Sequence, residues 1–116
     1  MYERRLVDTK DKFENLRDRY TADLSDQVTD IQKYWQILIN NPGDQETIQN
    51  LLNICHGLAG TGASFGYTLL SEHTREIEHF LRPVSEKNTN IDIDKMYEVA
   101  ELIELLDDDC KQVAHS

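Results

Sequence analysis

Helix-breaking residues are scarce in this chain of 116 residues, which contains two prolines and five glycines. No segment alternates between polar and apolar residues in the way that predicts a strand. No apolar run reaches the roughly 18 residues that a membrane-spanning helix needs. The first residues lack the apolar segment of a signal peptide, so we expect a cytoplasmic location. The length predicts one domain covering residues 1–116.

Basic residues are also in short supply, since twelve Lys and Arg stand against 22 Asp and Glu. The formal net charge of −10 disfavours binding to nucleic acid, whose phosphates require a basic patch. It disfavours anionic membrane surfaces for the same reason. The simplest explanation of the acidic charge is solubility.

Four apolar stripes with spacings of three and four residues make up the rest of the pattern, and each is typical of one helix face packed into a core. Their residues are Leu24, Val28, Ile31, Trp35 and Leu38; Ile48, Leu51, Cys55, Leu58 and Gly62; Leu70, His73, Ile77, Phe80 and Val84; and Met96, Val99, Ile103, Leu106, Cys110 and Val113. The stripes are too short for an extended coiled coil, which favours a compact bundle. The two cysteines lie on separate stripes, which favours buried reduced thiols over a disulfide.

Turn-forming residues separate the stripes. Residues 40–44 combine a helix stop, a turn and an N-cap, residues 65–67 form the second break, and residues 83–90 predict a polar loop. Short connections between helices imply antiparallel neighbours.

Apolar residues continue upstream of the first stripe, at Phe13, Leu16 and Tyr20. They predict an additional N-terminal helix over about 2–20, with a bend near residues 21–25 before a bundle over about 22–115. The predicted fold is all-α, an antiparallel up-and-down four-helix bundle with an additional N-terminal helix.

Four of the five glycines fall within ten residues, at Gly57, Gly60, Gly62 and Gly66, and most of this segment lies on the predicted second helix. Each glycine inside a helix costs about 1 kcal/mol relative to alanine. Close packing between helices explains an inward-facing Gly62. It does not explain the other interior glycines.

His56 precedes this segment and lies at the edge of the buried helix face, about 100° from the centre of its stripe. Ala59, Gly60 and Ala63 follow it at i+3, i+4 and i+7, so one side of the histidine has almost no side chains beside it. Such a bare surface lets a large partner approach closely. A surface histidine beside a tight helix crossing explains the same spacing.

The segment resembles the signature of histidine phosphotransfer domains. In that signature a histidine is followed by a hydrophobic residue two positions on, a glycine four on, small residues next and a glycine ten on. The matching residues are His56, Leu58, Gly60, Thr61, Gly62, Ala63 and Gly66. Ile77-Glu78 resembles the Leu-Glu pair of the family's following helix, and Trp35 is similar to an aromatic residue of the family's pattern. The resemblance is strongest over about residues 48–82.

The resemblance implies that His56 accepts a phosphoryl group from a phosphoaspartate of a receiver domain and passes it to another receiver aspartate. Such a protein is a phosphoryl carrier without autonomous kinase activity. Its partner would be a response-regulator receiver domain or a hybrid sensor histidine kinase. No cofactor is implied on this chain, because Mg²⁺ belongs to the receiver. Ala59, Gly60 and Ala63 would give the partner access.

One departure from the family concerns the position three residues after the histidine, where many members have a lysine that steadies the phosphoryl group. This chain has Ala59 there, which leaves open what neutralises the phosphoryl charge. The alternative from another class is a non-catalytic helical-bundle interaction or dimerisation module.

Three other groups of polar residues have simpler explanations. His73 lies within the third stripe, which predicts a histidine packed in the core. Glu76 and His79 have the spacing of a di-iron bundle motif, but only one such motif is present, which disfavours a metal site. The acidic residues 107–109 predict a solvated helix end.

Overall fold

The helices and their order are given by a computed structural model, which describes the backbone of residues 2–115 and the side chains of residue 16 and residues 18–113. The four α-helices are α1 (Tyr2–Asn40), α2 (Gln45–Ser64), α3 (Thr68–Lys87) and α4 (Ile93–His115). Each helix packs on the next, and α4 packs back on α1. Residues 2–115 include no strand. The predicted up-and-down four-helix bundle is confirmed.

The apolar stripes form one core that joins all four helices. Its fully buried side chains include Leu24, Ile31, Leu38, Ile48, Leu51, Cys55, Leu58, Ile77, Leu81, Val99 and Leu106. Burial of apolar surface stabilises the fold by a free energy of roughly 25 cal/mol per Å². This burial is the main source of stability in the bundle. Both cysteines are free, with Cys55 buried and Cys110 partly buried.

The N-terminal segment does not form a separate helix, so the predicted bend near residues 21–25 is wrong. Helix α1 runs without interruption from Tyr2 to Asn40. No proline or glycine lies within it, and Tyr20, Leu24 and Val28 are buried along one unbroken face. The predicted extension is therefore the first part of α1. The side chain predicted at Phe13 lies outside the described residues.

The predicted loop over residues 83–90 is also partly wrong, because α3 continues through Pro83 to Lys87. Val84 is buried in the core and holds this last turn against the bundle. The helix ends at Asn88, which adopts a left-handed conformation with φ 53°. A left-handed residue after the last turn is a common helix ending that satisfies the terminal carbonyls.

The connection between α2 and α3 fixes the end of the helix that contains His56. Gly66 adopts φ +81° in this turn, a conformation that residues other than glycine rarely adopt. The ring of Tyr20 from α1 stacks on Phe65 at 4.4 Å and on Tyr67 at 5.8 Å. Helix α1 is thus joined to the α2–α3 turn by one aromatic cluster. Among the described residues, no helix is long and apolar enough to cross a membrane.

Candidate functional site around His56

His56 lies near the middle of α2 and points away from the core. Its side chain is 80% exposed, although its neighbour Cys55 is completely buried. The i, i+3, i+4 spacing of the buried residues turns His56 onto the flank of the helix, next to α3. The ring is therefore held on a rigid helix and is open to a partner.

The helix surface beside His56 is bare, as the glycine pattern predicts. A side-chain atom added at Gly57 or Gly60 would meet nothing within 4 Å, and Ala63 is exposed. Gly62 is different, because a Cβ there would lie 3.5 Å from both Leu70 Cδ2 and the Ser71 nitrogen. Packing between α2 and α3 accounts for Gly62 alone, and Gly57 and Gly60 leave open space on the outside.

Ala59 does not share this open surface. It is 4% exposed, and its carbonyl oxygen accepts a hydrogen bond of 2.8 Å from the Ser71 hydroxyl on α3. The i+3 position therefore lies at the α2–α3 contact. The accessible small residues beside His56 are Gly60 and Ala63, with Gly57 further round the helix.

A carboxylate from α3 lies next to the histidine. Oε1 of Glu78 is 3.5 Å from Nδ1 of His56, and the Glu78 side chain is 10% exposed. In the sequence, Glu78 is marked only by its resemblance to a family pair, which assigns it no role. The hairpin geometry could have found it, since antiparallel α2 and α3 meet around a turn at residues 65–67. Residue 56 then lies opposite a residue about as far beyond that turn.

Arg82 completes a row of three groups. Its Nη2 donates a hydrogen bond of 2.6 Å to Oε2 of the same Glu78 carboxylate. His56 and Arg82 both line a groove between α2 and α3. The remaining lining residues are Gln49, Leu52, Asn53, Ser85 and Glu86. No motif in the sequence marks Arg82 as part of the site.

Charged side chains are missing from the helix around His56. Residues 47–71 contain no Asp, Glu, Lys or Arg, although these four types make up 29% of the whole chain. The surface at Gly60 and Ala63 is consequently uncharged on a molecule with a formal charge of −10. An acidic partner could approach it without strong repulsion.

The thiol of Cys55, directly beside His56 in the chain, is chemically quiet. Burial, and to a smaller degree the nearby Glu78 carboxylate, raises the pKa of Cys55 to about 12. The thiolate is the reactive form of cysteine and is scarce at neutral pH when the pKa is this high. His56 is therefore the accessible nucleophile at this point of α2.

The other described histidines have different surroundings. Nδ1 of His73 lies 2.5 Å from Oδ2 of Asp109, and this largely buried pair joins α3 to α4. His79 is exposed and meets the ring of Phe80 edge to face. The described side chains include no group of three or more His, Cys, Asp or Glu that could hold a metal ion.

Comparison with known families agrees with this geometry. The family model of the Hpt domain matches residues 15–115, which is nearly the whole chain. No curated protein and no solved structure matches the chain. The matched residues include the helical bundle and the exposed His56 on α2. The chain belongs to the Hpt domain family, whose general role is histidine phosphotransfer in phosphorelays.

Proposed function

We propose that His56 accepts a phosphoryl group from a phosphoaspartate of a receiver domain and passes it to another receiver aspartate. The observation that supports this most is the combination of an 80% exposed histidine with the open space at Gly60 on the same helix face. A receiver must bring its aspartate to within about 3–3.5 Å of the ring nitrogen. Bulky residues at Gly60 and Ala63 would obstruct that approach.

The ring geometry favours Nε2 of His56 as the nucleophile. Nδ1 faces Glu78, which leaves Nε2 on the opposite side of the ring. In the neutral tautomer with the proton on Nδ1, the Nε2 lone pair attacks phosphorus, a P–N bond forms and the aspartyl P–O bond breaks. The aspartate leaves as a carboxylate and the ring becomes positively charged. Glu78 is placed to stabilise that charge through the Nδ1 proton.

The division of labour with the partner follows from this chemistry. The receiver would supply the Mg²⁺ ion and both the donor and the acceptor aspartates. This chain would supply the positioned imidazole and the uncharged docking face at Gly60 and Ala63. It would therefore be a carrier without kinase activity of its own, with a receiver domain or a hybrid kinase as its partner. A cytoplasmic location stays a prediction.

Label transfer from phosphorylated receivers tests this function. We expect wild-type protein to take up ³²P from at least one phosphoreceiver in a panel. The bound label should be labile in acid and stable in base, as a phosphoramidate is. His79→Gln, a substitution at an exposed histidine on α3, is the matched control and should accept label normally. A wild-type protein that accepts label from none of the panel, at concentrations where it binds a receiver, would favour the non-catalytic interaction module instead.

A further inference from the structure

The first half of α1 extends past the end of the bundle. Tyr20 stacks on Phe65 and Tyr67 at the turn between α2 and α3, and residues 2–19 precede that point. At about 1.5 Å per residue they add roughly 27 Å of helix. The molecule is accordingly 61 Å long but only 23 Å by 20 Å across. Leu16 in this segment, which we refer to as the arm, is 56% exposed.

Basic residues are concentrated in the arm. It contains six of the twelve Lys and Arg of the chain, together with five Asp and Glu. Residues 20–116 contain the other six basic residues and seventeen acidic ones. The arm is therefore weakly basic, whereas the rest of the molecule is strongly acidic.

The arm also has an amphipathic pattern. Leu6 and Phe13 at a positions and Leu16 at a d position of a heptad continue the apolar stripe of α1. Five of the six flanking e and g positions are basic, so two arms packed along this stripe would repel each other. These five are Arg5, Lys10, Lys12, Arg17 and Arg19. The pattern fits an acidic surface with an apolar floor.

A groove between α1 and α4 has this complementary character. Its floor includes Trp35 and Ile103, which are buried in the core, and its α1 edge includes Ile39, which is 46% exposed. Its described lining residues include no Lys or Arg. The α4 edge has three carboxylates, those of Glu104, Asp107 and Asp108.

Two of these carboxylates have no cationic partner among the described side chains. Asp107 forms an ion pair of 3.1 Å with Nζ of Lys111, one turn further along α4. Glu104 and Asp108 are exposed and form no ion pair within the described part of the chain. The groove therefore offers unpaired negative charge beside an apolar floor.

The arm cannot reach the groove of its own molecule. Helix α1 is uninterrupted from Tyr2 to Asn40 and contains neither Gly nor Pro, so the arm does not fold back. Along this straight helix, Arg19 is roughly 20 Å from Gln32 at the nearer end of the groove. The arm can therefore lie only in the groove of another copy.

We propose that this protein forms a two-fold dimer in which the arm of each copy lies in the α1–α4 groove of the other. The apolar stripe of the arm covers Trp35, Ile39 and Ile103, and its basic edges face Glu104 and Asp108. Packing of an apolar face is the main source of stability for such a helix. Each copy gives one arm and receives one, so the assembly closes at two copies.

The dimer leaves the phosphotransfer site open. Each helix of the bundle packs on the next, and α4 packs back on α1, so the α1–α4 groove and the α2–α3 groove of His56 lie on opposite sides. Dimerisation and phosphoryl acceptance can therefore be measured independently, and failure of one leaves the other in place.

Charge exchange between the arm and the groove tests the dimer. Sedimentation equilibrium on the full chain compares wild type with an arm variant, Arg17→Glu with Arg19→Glu, and a groove variant, Glu104→Lys with Asp108→Lys. Arg17 and Arg19 represent the two edges of the arm. Each variant should raise the dimer Kd about tenfold or more, because like charges then face each other. The protein that combines all four substitutions should recover most of the wild-type affinity.

The matched control is Glu72→Lys with Glu76→Lys, which makes the same change of charge at exposed positions of α3 outside the groove. It should dimerise like wild type. Circular dichroism establishes that every variant is folded. The groove variant should accept a phosphoryl group on His56 at the wild-type rate, because its substitutions lie on the other side of the bundle.

Three results would overturn the dimer. The first is a wild-type protein that stays monomeric up to about 1 mM. The second is dissociation by the arm variant but not by the groove variant, or without recovery in the combined protein, since the arm would then dock elsewhere. The third is an equal loss of affinity in the α3 control, which would show a general effect of charge.

Discussion

Two histidine–carboxylate pairs each include one residue of helix α3, and they differ in exposure, distance and surroundings. His56 is 80% exposed with Nδ1 3.5 Å from Glu78, whereas His73 is 17% exposed with Nδ1 2.5 Å from Asp109. The first pair leaves a ring nitrogen open to solvent. The second uses its ring to join α3 to α4. A histidine beside a carboxylate is thus a reactive group or a structural link according to its burial and its neighbours.

The surroundings strengthen this contrast. Beside His56 stand Gly60 and an uncharged helix surface that leaves room for a partner. His73 lies on the buried side of α3, next to Thr74, which is itself completely buried. The His56 ring is therefore accessible to a partner protein, whereas the His73 ring is enclosed between helices.

Exchanging each histidine for glutamine should produce the largest effect and separate the two roles. We expect His56→Gln to reduce phosphoryl acceptance to background, because the nucleophile is removed, while its melting temperature stays close to wild type. His73→Gln should retain acceptance. Label transfer and thermal unfolding, measured on both variants, check this. Residual acceptance by a folded His56→Gln protein would contradict the contrast.

A size series at Gly60, with Gly62 as its matched control, should give the next largest effect. Gly60→Arg should fold normally and lose about a hundredfold in transfer rate, because its side chain occupies the approach to His56. Gly60→Ala should raise stability by up to about 1 kcal/mol.

Gly62 should show the opposite behaviour. A Cβ there already touches Leu70 and Ser71 at 3.5 Å, so Gly62→Leu should destabilise by about 1–3 kcal/mol through overpacking. Transfer rate and melting temperature are measured for both series. A stable Gly60→Arg protein with a normal transfer rate would mean that the bare face has no role in access.

Loss of the His73–Asp109 pair should lower the free energy of unfolding and leave phosphoryl transfer unchanged. His73→Gln leaves the buried Asp109 carboxylate without its partner, which should cost about 1–3 kcal/mol of unfolding free energy. His79→Gln, at an exposed position on the same helix, should cost much less. Urea unfolding of both variants measures the difference. Equal stabilities would show that the His73–Asp109 pair contributes little.

Salt should have the smallest effect, and it probes the docking face as a whole. Because no charged residue lies between residues 47 and 71, receiver binding should depend on apolar contact more than on charge. We expect the Kd to change by no more than about twofold between low and physiological salt. Titrations at several salt concentrations measure it. A steep loss of affinity would indicate that charged residues outside this face dominate docking.

Much of this organisation could be predicted from particular residues, and some could not. The four stripes predicted the helices because each buries one face, and Asp44 is the N-cap of α2 as residues 40–44 indicated. A bend was predicted near residues 21–25, but the helix continues there because Tyr20 and Leu24 remain buried on one face. The loop was predicted from Pro83, but the packing of Val84 keeps that turn helical.

The site also has features that the sequence predicts and features that it does not. The edge position of His56 and the small residues after it follow from helical spacing, so they could be predicted from the sequence. Glu78 and Arg82 reach the site across a helix contact, which a periodicity argument along one helix does not address. Ala59 was predicted on the open side, yet the Ser71 hydroxyl on α3 covers it. Its part in docking stays a prediction.

The most direct test of the account is to locate the phosphoryl group on the protein after transfer from a phosphorylated receiver. Long-range ³¹P–¹⁵N NMR on uniformly labelled protein reports both the residue and the ring nitrogen. The account predicts a single phosphorylated site, at Nε2 of His56. Label on His73, His79 or His115, or on Nδ1 of His56, would contradict it.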